Sequence, residues 1–144
     1  MKSYSTEELL NHCIKNKKSL TLSRSLVIKI LSRHSKPQSA YNLLEEVNKE
    51  NNINLNISTI YRVLDFWMDL GLIHKISAIN KYLICLTPND EHTHILNYCT
   101  KCENVIETCN KKMASILNRG VKKLNLTLNN KYSVEIPVIC SKCS

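Results

Sequence analysis

The run STIYRVLDFWMDLGLIHKISAINKYLICL, residues 58–86, changes hydrophobic period part-way along. Its first half places Ile60, Val63, Leu64, Trp67 and Leu70 on one face of a helix from about Ser58 to Leu70. Ser58, Tyr61, Arg62 and Asp65 then stand on or near the outer face. Gly71 is a natural residue to end that helix, because it takes up a left-handed conformation at little cost. The second half reads as a hairpin: Leu72–Ser77, a turn around Asn80, then Tyr82–Leu86. A helix that runs straight into a hairpin needs other helices to cover its apolar side.

The residues upstream supply them. Residues 5–17 read as a first helix, with Leu9, Leu10 and Ile14 on one side. Thr21 caps a second, from Leu22 to about His34, with the stripe Leu26, Val27, Ile30 and Leu31. After Pro37, Ser39 caps a third that carries Ala40, Leu43, Leu44 and Val47. The polar stretch from Lys49 to Asn56 reads as a loop. Short helices followed by a two-stranded hairpin make a winged helix-turn-helix, whose last helix enters the major groove of DNA.

Downstream, Pro88-Asn-Asp-Glu reads as a linker. Strand-like segments at Thr93–Tyr98 and Asn104–Ile106 flank a cysteine pair. A helix from about Cys109 to Leu124 follows, with Met113, Ile116, Leu117, Val121 and Leu124 as its apolar side. Tyr132–Ile139 is a strand leading into a second cysteine pair. The expected class is α+β: a DNA-binding domain over 1–86, a hinge over 87–91 and a small α/β domain over 92–144.

Those pairs, Cys99/Cys102 and Cys140/Cys143, are separated by 37 residues. A C-x-x-C turn points two thiolates at one spot, and two such turns complete the tetrahedral sulfur shell that Zn²⁺ prefers. Redox disulfides are the competing use, but thiol oxidoreductase motifs come singly after a strand in a βαβ pattern. The total of seven cysteines is odd, the start MKSYSTEELL lacks the apolar core of a signal peptide, and no apolar run approaches a membrane span. These features lead us to expect a cytoplasmic protein with reduced thiols, away from any membrane. Cys13 and Cys109 have no partner in spacing and read as ordinary thiols.

The net charge is +8, and its distribution says more than its sum. From Leu9 to Leu44 there are seven Lys or Arg and no Asp or Glu. On the helical array this points to a polyanionic partner. Arg62 can donate two hydrogen bonds to a purine edge, and Tyr61 can reach a thymine methyl or a phosphate. Lys15, Lys17, Lys18, Arg24, Lys36 and Lys75 would neutralise phosphates, adding salt-sensitive affinity without sequence information.

Three strings together resemble the ferric uptake regulator family: S-T-I-Y-R-V-L-D-F-W-M-D-L-G-L-I-H-K-I, H-T-H-I-L-N-Y-C-T-K-C-E-N-V-I-E and C-S-K-C. The resemblance runs from about Leu20 to Cys143. S-A-Y-N-L-L and N-K-Y-L-I-C are closest to its zinc-uptake branch. It implies a homodimeric, metal-responsive repressor of metal-uptake genes that binds a near-palindromic double-stranded operator and has no small-molecule substrate. It also implies a winged-helix domain followed by a dimerisation domain with structural zinc on Cys99, Cys102, Cys140 and Cys143. Tyr41 matches a DNA-facing tyrosine. His74, Cys85, His92 and Glu107 match a second, regulatory zinc site, with His94 as an alternate to His92. Two family glycines are replaced, by Glu103 after the first pair and Val138 before the second, which implies some strain in the first turn.

Cys85 bears on the metal, since a thiolate suits Zn²⁺ while nitrogen and oxygen donors suit Fe²⁺ or Mn²⁺. An iron, manganese or peroxide sensor of the same family remains an alternative. So does a zinc-ribbon nucleic-acid module without sensing. An enzyme is not expected: a zinc hydrolase built on His92, His94 and Glu107 needs an open coordination position and a substrate pocket. The chain has two glycines and no evident pocket-lining loop.

Overall fold

The computed structural model describes residues 5–88 and 93–144, and the chain divides into two units, Met1–Pro88 and Asn89–Ser144. Residues 89–91 of the expected hinge lie outside the described residues, as does His92. Helices and two small sheets make up the α+β class. No helix among the described residues is long and apolar enough to cross a membrane.

The first unit holds α1 (Thr6–Lys15), α2 (Leu22–Arg33), α3 (Ala40–Asn51), α4 (Ile57–Asp69) and the hairpin β1 (Ile73–Ile76) with β2 (Lys81–Ile84). Each helix starts where a short polar side chain accepts from an exposed backbone N–H. Ser5 does so in a reciprocal box with Glu8, and Thr21, Ser39 and Asn56 follow suit. Because Asn56 is the cap of α4, that helix begins one residue earlier than expected. Its end is as expected: Gly71 has φ +70°, its N–H reaches Met68 O at 2.9 Å and that of Leu72 reaches Trp67 O at 3.1 Å.

The expected loop from Lys49 is partly helix, because α3 continues to Asn51 and stops at Asn52 in the left-handed region. Asn48 then staples the following loop: its side chain accepts from Leu55 N at 2.8 Å and donates to Leu55 O at 3.0 Å. The core beneath these helices is built from Leu9, Val27, Ile30, Leu31, Leu43, Ile60, Leu64 and Trp67. Trp67 is fully buried, and its indole N–H donates to Arg24 O at 3.1 Å.

In the wing, β1 and β2 pair antiparallel from Ile73↔Ile84 to Ile76↔Lys81, with Asn80 at φ 50° in the turn. Gln38 adds a bridge to Tyr82 through two backbone hydrogen bonds of 2.8 Å. The segment that launches α3 is thereby fastened to β2.

The second unit is a three-stranded sheet in the order β4-β3-β5, comprising β3 (Ile95–Cys99), β4 (Val105–Thr108) and β5 (Val134–Val138), with α5 (Lys111–Lys123) between β4 and β5 in the chain. β3 runs antiparallel to β4 and parallel to β5. Pro137 is tolerated because β5 is an edge strand and can spare a donor. The apolar side expected for α5 is left open in a single copy: Ala114 is its buried residue, while Met113, Ile116 and Leu124 are exposed.

Candidate metal centres and nucleic-acid interface

The parallel pairing of β3 with β5 explains how cysteines far apart in sequence converge. Cys99 stands opposite Val138, so both strands leave the sheet at the same end and each enters its C-x-x-C turn there. The Sγ atoms of Cys99, Cys102, Cys140 and Cys143 lie within 4.8 Å of one another, with Cys102 and Cys140 3.7 Å apart. A tetrahedral zinc with bonds of about 2.3 Å separates its sulfurs by about 3.8 Å, whereas a disulfide needs about 2.05 Å. All the cysteines are free thiols. The spacing fits a metal.

Electrostatics point the same way. The backbone N–H of Cys140, then those of Cys102 and Lys101, stabilise the Cys99 thiolate and bring its pKa down to about 6. Hydrogen bonding with the Cys140 and Cys102 thiols pushes Cys143 up to about 12. The first thiolate forms easily and the last does not, so a full set of four calls for a cation. Lys101, which no sequence motif singles out, also donates from Nζ to Cys143 O at 3.0 Å and ties one turn to the other. Glu103 has φ 58°, so the strain implied by the missing glycine is present there. Val138 shows no such departure and sits in regular strand pairing.

The remaining candidate ligands form two pairs. In the first unit, His74 lies within β1 and Cys85 directly follows β2, where its N–H donates to Leu72 O at 2.9 Å. The register puts both on one face of the hairpin, with a His74 ring nitrogen and the Cys85 sulfur within 4.8 Å. In the second unit, Leu96↔Glu107 pairing puts His94 and Glu107 on one face of the sheet. His94 Nδ1 and Glu107 Oε1 are 2.7 Å apart, and the Glu107 side chain is 1% exposed. Both pairs are well hidden from solvent. His94, the alternate, is in contact with Glu107; His92 lies outside the described residues.

On α4, burial of Ile60, Val63, Leu64 and Trp67 leaves Ser58, Arg62 and Asp65 exposed. Tyr61 is half-buried against the core, and Tyr41, at the start of α3, is 64% exposed. Lys15, Lys17, Lys18 and Lys36 are exposed, and Lys75 is half-buried. Arg24, half-buried, is also engaged within the fold: its guanidinium sits 3.6 Å over the Phe66 ring and donates to Ser19 Oγ at 3.0 Å. It fastens the α1–α2 loop to α4, a use that no local sequence signal reveals. His34 is likewise engaged, with its Nε2 2.9 Å from Glu46 Oε1.

The ferric uptake regulator family model matches residues 15–136. The chain belongs to this family. It is therefore a transcription regulator and not an enzyme. It is 29% identical over 148 residues to the zinc uptake regulation protein of Escherichia coli strain K12, an alignment covering 99% of this chain and 85% of the relative. A zinc uptake regulator solved with zinc and DNA matches with a TM-score of 0.83 at 27% identity, over 97% of this chain and 95% of the other. Holo XcZur matches with a TM-score of 0.80 at 26% identity, over 96% and 98% respectively.

Proposed function

We propose that this family member is a zinc-responsive repressor of metal-uptake genes, acting in the cytoplasm as a homodimer on a near-palindromic operator. The observation that carries the reading is the pairing of Cys85 with His74 at the base of the wing, a nitrogen–sulfur half-shell that suits zinc. His94 and Glu107 form a second half-shell, and neither pair alone fills a four-coordinate site. One zinc held by all four donors would supply positive charge to a buried carboxylate and a thiolate. The four cysteines would hold a separate, structural zinc.

The work on DNA falls to the chain's own residues. Arg62 reads a base edge from the outer face of α4, Tyr61 reaches a thymine methyl or a phosphate, Tyr41 faces the DNA from the start of α3, and Lys15, Lys17 and Lys18 meet phosphates. Arg24 acts here by holding their loop in place. Joining the donor pairs couples the reading head of each subunit to the dimer, so that two heads meet two half-sites together. The exposed Met113, Ile116 and Leu124 support a second copy as the cover for α5.

The test is operator binding against buffered free zinc, together with zinc counting. Wild-type protein should carry two zinc ions per chain and Cys85→Ser one. In that variant the zinc-dependent gain in affinity, about 5–150-fold for a typical coupling, should disappear. Equal DNA binding by zinc-loaded and regulatory-site-stripped protein, both still folded and dimeric, refutes the reading.

A further inference from the structure

α5 carries five exposed cations, Lys111, Lys112, Arg119, Lys122 and Lys123, and no acidic residue. None of the five makes a side-chain hydrogen bond or ion pair among the described residues. Lys112, Arg119 and Lys123 recur at i, i+7 and i+11, which keeps them within an arc of about 40° and spreads them over about 16 Å. Lys111 and Lys122 form a second row beside them. A solvated helix face usually mixes signs, as α1, α3 and α4 do; α2 also lacks acidic residues, but its Arg33 is paired with Glu50 and its Arg24 sits over Phe66.

The placement is also costly to the helix itself. Lys111 and Lys112 occupy the first turn, where the macrodipole favours Asp or Glu, and no acidic residue offsets them. Asn110 alone caps that end, accepting from Met113 N at 3.1 Å. Two uncompensated cations at the wrong end of a helix, continued as a stripe to the other end, point to a partner that neutralises their charge.

We infer that the α5 stripe is a second nucleic-acid contact, binding the phosphate backbone of duplex DNA. It rests on the DNA-binding reading above but uses a different unit from the one bearing α4. The chemistry is sequence-blind: ammonium and guanidinium groups displace counterions from phosphates. The stripe is centred about 100° around α5 from Met113 and Leu124, so it lies apart from those two of the apolar residues offered to a second copy.

The experiment uses full-length, zinc-loaded protein with a minimal operator and with the same operator in a long duplex, titrated over salt. In the variant Lys112→Gln/Arg119→Gln/Lys123→Gln, the salt slope on the long duplex should fall by about 2.7 per protomer, at about 0.9 for each of three phosphates. Between 50 and 200 mM salt that is about a 40-fold smaller loss of affinity. Zinc-dependent binding to the minimal operator should persist. Lys111→Glu/Lys112→Glu guards against a folding artefact, since it should hold or raise thermal stability while weakening the long-duplex complex. An unchanged slope in the first variant overturns the inference. So does loss of binding to acidic vesicles or single-stranded RNA with duplex binding intact. A wild-type protein that grips the long duplex regardless of zinc, while the variant does not, overturns the switch and leaves the stripe standing.

Discussion

Replacing Glu103 with glycine should strengthen the first cysteine turn, and the size of the effect follows from one dihedral. Glu103 has φ 58°, a conformation that costs an L-residue about 1–2 kcal/mol. Glycine removes that strain but gains freedom in the unfolded chain worth about 0.5–1 kcal/mol. The net stabilisation is about 0.5–1 kcal/mol, or about 2–8 °C in the melting of a unit this small. Because the turn closes as the cysteines bind metal, the same energy should appear as about 2–5-fold tighter zinc retention. Glu103→Gln separates charge from backbone, since it neutralises the carboxylate and keeps the strain. Melting and chelator competition should therefore be compared between the two variants. If the Glu103→Gly protein is no more stable than the Glu103→Gln protein, the left-handed backbone carries no penalty and the reasoning fails.

Two further outcomes can be checked directly. Arg62→Ala should lose about 1–3 kcal/mol of discrimination at one operator position while keeping its zinc, measured by selection from a randomised duplex pool; an unaltered preference removes Arg62 from base reading. Tyr82, buried and facing Tyr61 and Asp65, has its pKa raised to about 12, chiefly by burial. A raised pKa means that the unfolded chain releases the proton first, so this stability is present below about pH 10 and lost as pH rises toward about 12. Tyr82→Phe should lack that alkaline component in denaturant titrations, and identical pH profiles would contradict it.

Some of this structure is legible in the sequence because its cause is local. Thr21, Ser39 and Gly71 announce helix ends through one side chain or one φ angle, and each C-x-x-C turn aims its sulfurs without outside help. Asn56 escapes notice because an amide cap inside a polar run looks like any other loop residue. α3 outruns its expected end because Asn48 satisfies the loop beyond it, a contact seven residues away. The rest depends on distant partners. Nothing near Cys140 encodes the parallel pairing of β5 with β3, and nothing near Gln38 encodes its bridge to Tyr82. The charge of Arg24 is visible in a sequence, whereas its seat over Phe66, forty-two residues on, is not.

The two units should respond differently to removal of the cysteine-bound metal. The first has a continuous core of buried residues that includes Trp67, Ile60, Leu43 and Val27. In the second, the buried apolar side chains among the described residues are Ile95, Leu96, Cys99 and Ala114, and one of those four is itself a candidate ligand. So small a core cannot offset the chain entropy of a unit this size, so the metal and a second copy must supply much of its stability. Stripping the four-cysteine site should therefore unfold the sheet and α5, and separate the dimer, while α1–α4 stay folded. Hydrogen exchange resolved by residue would show protection lost at Ile95–Cys99 and Val134–Val138 but kept at Ile60–Trp67. Sustained protection in both units of the stripped protein would mean that the sheet stands without its metal. The cysteines would then be dispensable to the fold, and the case for a structural ion would rest on sulfur spacing alone.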